Sequence, residues 1–174
     1  MLGRGRRCGD SDGHVDRDAD ADPAAARVTD TISEAVYEGK LDQFDAERST
    51  AAALSTALAD VDDGLGTFVA GSESYRDGDD GDAEEQLATA TETLGRARDA
   101  LPTEPADPHA SLVEDLGCVL AAVDLAAREL ELSAQEGGMS DREAVARDFL
   151  RGCDRVTDAP TIDGFADWLD EQTE

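Results

Sequence analysis

Apolar residues recur at helical spacing along most of the chain, and no segment sustains the alternation of a strand. Asp22-Pro23 is a good helix start, since Asp caps exposed N–H groups and Pro suits the first helical position. Val28, Ile32 and Val36 then share one face. Tyr37-Glu-Gly39-Lys-Leu41 interrupts that face, as a short turn or a mild irregularity. From there the steps of three, four and seven resume through Leu41, Phe44, Ala51, Leu54, Leu58, Val61, Leu65 and Phe68. They predict a long amphipathic helix ending near Ala70-Gly71, with the possibility of coiled-coil packing.

A Gly-, Ser- and Asp-rich stretch, Gly71 to Gly81, reads as a loop. Asp82 is the expected cap of the next helix, on which Leu87, Leu94 and Leu101 recur every seven residues with Ala90 and Ala97 between them. Pro102 forbids continuation, and the loop to Pro108 carries three prolines. Asp107-Pro108 opens a further helix whose face is Leu112, Leu116, Leu120, Val123, Ala127 and Leu130, stopped by Gly137-Gly138. Ser140-Asp-Arg-Glu143 has capping-box spacing, in which Ser and Glu satisfy each other's N–H groups. Val145, Phe149 and Leu150 follow. Asp158 to Pro160 starts a last helix with Ile162, Phe165, Trp168 and Leu169.

The expected fold is therefore all-α: an antiparallel helical bundle, or helical hairpins, of five to six helices. Residues 1–22 read as a disordered acidic tail, and residues 23–174 as a single helical domain. Asp16, Asp18, Asp20 and Asp22 punctuate the tail without any apolar repeat that could offset the entropy of ordering it. Three arginines, Arg4, Arg6 and Arg7, precede any acid and look unlike the rest of the chain, as an alternative start would.

Charge narrows the setting. Against 42 Asp and Glu stand 15 Lys and Arg, a net of −27, and Lys40 is the one lysine. Asp outnumbers Glu by 27 to 15. Short carboxylates hold hydrated cations near the surface, whereas lysine stems would add apolar area there. Such a surface repels itself in dilute buffer and is screened when molar salt shortens the Debye length to about 3 Å. The composition points to a salt-accumulating cytoplasm, haloarchaeal in type. A DNA mimic or histone chaperone would gather its acids in blocks, and here they are spread along helix faces.

No apolar run approaches the roughly 20 residues that span a bilayer. A hydrophobic core would have to follow Arg6-Arg7 in a twin-arginine signal, and Asp10 to Asp22 is the opposite of one, so a cytoplasmic protein is expected. Cys8, Cys118 and Cys153 lack Cys-x-x-Cys spacing, and only His14 and His109 could join them as soft ligands, too few in close pairs for a zinc site. Cys118 and Cys153 fall at apolar helical positions and read as free, buried thiols.

Chemistry-bearing motifs fail in turn. Asp77-Gly-Asp-Asp-Gly-Asp82 resembles the opening of a calcium loop, yet its sixth residue is Asp82 where Gly is needed and its twelfth is Ala88 where Glu is needed. There is no Glu-x-x-His pair for a di-iron site, no phosphate-binding glycine loop and no Gly-x-Ser-x-Gly elbow. Glu34, Glu114, Glu129 and Glu143 cannot be told from the acidic background. Arg142, Arg147, Arg151 and Arg155 form a basic stripe, but Asp141, Glu143, Asp148 and Asp154 interleave it, which favours intramolecular pairing over nucleic-acid binding. Tyr37-Glu-Gly39 before Asp45-Ala-Glu47, and Tyr75-Arg-Asp-Gly78 before Asp82-Ala-Glu84, allow a hairpin repeat or plain helix patterning.

The functional expectation is a non-catalytic protein-interaction module, with a small enzyme or ligand-binding bundle as the alternative. No catalytic, cofactor-binding or metal residue and no cofactor is assigned. The expected partner is an unidentified protein, with neither nucleic acid nor membrane. A monomer is favoured over a homodimer, because the other helices also have apolar faces that need covering.

Overall fold

The computed structural model describes residues 23–137 and 141–173, with side chains in 34–137 and 141–172. The expected tail (1–22), Cys8, His14 and the Ser140 half of the capping box lie outside them. Among the described residues, five α-helices follow one another: α1 (Pro23–Asp77), α2 (Asp80–Ala100), α3 (Ala110–Gln135), α4 (Asp141–Arg151) and α5 (Pro160–Thr173). Single 3₁₀ turns at Asp107–His109 and Asp154–Asp158 lead into α3 and α5. No strand occurs among the described residues, so the all-α expectation holds. The chain divides into two compact units, residues 1–40 and 41–174. The architecture below is that of the second.

Where a helix was expected to end at Ala70-Gly71, α1 runs on to Asp77. Gly71 is no terminator. A Cβ there would lie 2.9 Å from Leu87 Cγ and 3.2 Å from its backbone N, and at Gly64 it would lie 2.9 Å from Leu94 Cγ and 3.3 Å from the Leu94 backbone N. These glycines let α2 approach α1 closely. A step of seven forward on α1 matches a step of seven back on α2, which makes the pair an antiparallel hairpin. The real turn is only Gly78-Asp79. Gly78 takes φ +76°, a left-handed conformation that favours glycine. Asp79, not Asp82, caps α2, its carboxylate accepting from the Asp82 N–H at 3.5 Å. The interruption at Tyr37–Leu41 is likewise absent as a break, and α1 passes through it.

Each later helix reverses on its predecessor. Along α3 and α4, Glu129 meets Arg142 and Cys118 meets Cys153, so one index falls as the other rises. Along α4 and α5, Arg151 meets Asp163 while Arg147 meets Asp170. The core is small-sided and tight: Phe68, Leu87, Leu94, Leu120, Leu130, Leu150 and Leu169 are fully buried, with Ala57, Ala83, Ala90, Ala97, Ala126 and Ala127 between them. The proline loop is tied down where Thr50 Oγ1 accepts from the Ala106 N–H at 3.0 Å.

Cys118 and Cys153 correct the free-thiol expectation. They form a disulfide across 35 residues, with Cα atoms 5.9 Å apart. The α3–α4 hairpin folds that separation back on itself, which Cys-x-x-Cys logic does not anticipate. The long α1 stripe is also only partly core. Leu54, Val61 and Phe68 are buried, whereas Leu41, Phe44 and Leu58 are 46%, 62% and 48% exposed. Leu112 and Val145 are exposed as well.

Candidate functional site

The arginine stripe folds onto acids. Arg142 binds Glu129 at 2.9 Å and Glu136 at 3.2 Å, and the hydrogen bonds it donates, first to Glu136 and then to Glu129, hold its pKa above the ordinary value. Arg151 is clamped by Asp163, Asp167 and Asp170, its pKa raised chiefly by Asp170 and Asp167. Arg147 meets Asp148 and Asp170, and Arg155 meets Asp115 at 2.9 Å. The stripe is occupied by the protein itself.

Glu143, whose expected capping partner Ser140 lies outside the described residues, is a core residue. It is 3% exposed and accepts a hydrogen bond from the Tyr75 hydroxyl, which also lies 2.7 Å from Ser133 Oγ. Glu114 is exposed and Glu129 half-buried, about four turns apart on α3. Glu34 is exposed on α1. Among the described residues, no group of three or more His, Cys, Asp or Glu side chains is disposed to hold a metal ion. Residues Asp77 to Asp82 form the end of α1, the tight turn and the start of α2. The Tyr37 and Tyr75 segments are unequal: Tyr37 is 65% exposed and Tyr75 is 6% exposed. Asp45-Ala-Glu47 lies inside α1, whereas Asp82-Ala-Glu84 opens α2.

Sequence reasoning passed over the seam between α1 and α5. The chain has seven aromatic residues, and four meet there. Phe68 and Phe165 pack edge to face at 6.0 Å, Phe165 stacks on Trp168 at 5.4 Å, and Tyr75 meets Trp168 edge-on at 6.3 Å. Such contacts add about 0.5–1.5 kcal/mol each beyond burial. The Arg76 guanidinium sits 5.6 Å over the Trp168 ring, a cation–π contact. Beside it, Phe68, Ser72, Ile162 and Phe165 line a cavity of about 40 Å³ together with the exposed Glu73, Arg76 and Thr161. Ser72 is 3% exposed and its hydroxyl has no hydrogen-bonding partner. The signal for this seam was the spacing Phe68–Tyr75 on one helix and Phe165–Trp168 on another, in a chain otherwise poor in rings.

A second surface is the exposed stretch of α1 at Leu41 and Phe44, three residues apart and therefore on one helix face. Asp42, Asp45 and Glu47 surround it, with Arg48 3.5 Å from Asp45. No helix of the described residues is long and apolar enough to cross a membrane. Compared with protein families, with curated proteins and with solved structures, the chain matches none.

Proposed function

We propose that this protein is a non-catalytic helical interaction module that holds a protein partner on the Leu41–Phe44 face of α1. One observation carries the reading: with few rings to spend, the chain leaves Phe44 62% exposed while Phe68, on the same periodic stripe, is fully buried. The acids around Phe44 favour a partner helix with an apolar face and basic flanks, and disfavour a second copy of a chain charged −27. A photo-crosslinking residue in place of Phe44, with one in place of exposed Ser55 as control, tests this in molar KCl. A discrete heterologous adduct from position 44 alone is expected. Light scattering should give the 18.3 kDa monomer. A doubled mass would make the occupant another copy, and a monomer without an adduct would overturn the proposal.

The same reading includes salt adaptation and a cytoplasmic setting. Self-repulsion at −27 is relieved by unfolding, so the melting temperature should climb steeply from dilute buffer to molar KCl. An unchanged value would remove this part of the proposal. Disulfides are uncommon in a reducing cytosol; here the Cys153 end is 2% exposed and the Cys118 end half-buried. Thiol trapping on freshly lysed cells reads its state directly. The alternative, a ligand-binding bundle, draws support from the α1–α5 seam.

A further inference from the structure

Of the described arginine side chains, Arg48, Arg96, Arg98, Arg128, Arg142, Arg147, Arg151 and Arg155 each have a carboxylate within 4.0 Å. Arg76 alone has none, in a chain where acids outnumber bases by 42 to 15. Its guanidinium lies over the Trp168 ring, a contact that uses none of its N–H donors. One turn earlier on the same helix face stands Ser72, a buried hydroxyl without a partner that lines the adjoining cavity. A buried unsatisfied hydroxyl is costly, and in native proteins such a group usually marks a missing ligand or water.

We propose that Ser72 and Arg76 together bind the carboxylate of a small monocarboxylic acid whose short apolar end enters the cavity between Phe68, Ile162 and Phe165. The Arg76 fork donates to both carboxylate oxygens and the Ser72 O–H donates to one of them. The aromatic and Ile walls exclude water from the tail. About 40 Å³ admits a few heavy atoms, so the tail is of two to four carbons. Glu73 also lines the cavity and adds to the overall negative field, which selects against a second negative charge on the ligand. This site is separate from the Leu41–Phe44 face, and neither proposal depends on the other.

Trp168 is the chain's one tryptophan, so its emission reports on the site directly. The full chain, held at constant molar salt, is titrated by replacing chloride with butyrate. A saturable change in Trp168 emission is expected, with a Kd on the order of 1–10 mM. Butyramide, neutral and of the same shape, should bind at least about tenfold more weakly, since the charge-assisted pair is lost. R76Q should abolish the response, R76K should keep part of it, and S72A should weaken it several-fold, all with unchanged helical circular dichroism. Succinate should fail to saturate. An equal response to butyrate and butyramide, or no saturable response to butyrate, would overturn the proposal and leave the cavity to water. Because that comparison uses the unaltered protein, it decides the matter even if a variant misfolds.

Discussion

The two stretches of α1 in the second unit carry the same periodic pattern and meet opposite fates. From Val61 to Tyr75 its stripe supplies buried core residues, while Leu41, Phe44 and Leu58 face solvent. The difference lies in the partner. The Gly64–Leu94 and Gly71–Leu87 register carries α2's last residue, Ala100, level with about Leu58. Beyond that point Pro102 ends α2, and the loop that follows is anchored to α1 at Thr50. Hydrophobic periodicity thus specifies a helix face, and the length of the neighbouring helix decides how much of it becomes core.

Truncating the two phenylalanines gives the largest contrast. Phe68→Ala should cost about 3–5 kcal/mol, the range for a buried ring whose cavity cannot collapse, whereas Phe44→Ala should stay within about 0.5 kcal/mol. Chemical denaturation of both variants in molar KCl checks this. Equal losses would mean that Phe44 is covered in solution.

Next in size is the Cys118–Cys153 bond. A 35-residue loop places the entropic stabilisation at about 3–4 kcal/mol, so Cys153→Ser should lower stability by that order. Hydrogen exchange should quicken through α3 and α4 and stay unchanged at residues 41–47. Uniform quickening would show that the exposed stretch shares the core's cooperativity.

The glycines sharpen the contrast most finely. Gly64→Val drives atoms into Leu94 and its backbone and should cost about 1–3 kcal/mol. Gly66, two residues away, would have nothing within 4 Å of an added Cβ, so Gly66→Ala should gain about 0.5–1 kcal/mol from helix propensity alone. Denaturant midpoints of the two variants check this. If both destabilised equally, the close approach of α2 would be wrong.

The parts legible in the sequence are those set by local physics. Asp-Pro starts, Pro102 and the heptads Leu87–Leu94–Leu101 and Leu112–Leu130 located helices because caps, prolines and periodicity act within a few residues. That the arginine stripe pairs within the protein was legible from its acidic surroundings, but of the interleaved acids only Asp148 takes part, and the main partners stand on α3 and α5. What failed needed partners distant in sequence. Gly71 looked like a stop because its Leu87 neighbour could not be seen, and Cys118 looked free because Cys153 returns only through a hairpin. The burial of Glu143 was invisible because the hydroxyl that donates to it, on Tyr75, lies 68 residues earlier. Of the candidate site, neither Ser72 nor Arg76 stood out. A serine among helix residues and an arginine among acids are ordinary until their surroundings show one buried and the other unmatched.

The covalent ring between Cys118 and Cys153 also has a mechanical consequence. Tension applied to the two ends of this chain would run from α3 straight across the sulfurs to the start of the Asp154–Asp158 turn. The intervening hairpin, roughly 120 Å of extended contour at about 3.4 Å per residue, would stay slack until the bond was reduced. Glu143 and Ser133 lie inside that shielded loop and Tyr75 outside it. Under load, therefore, the buried hydroxyl–carboxylate contact is a shear point, and pulling experiments with and without reductant should release different lengths.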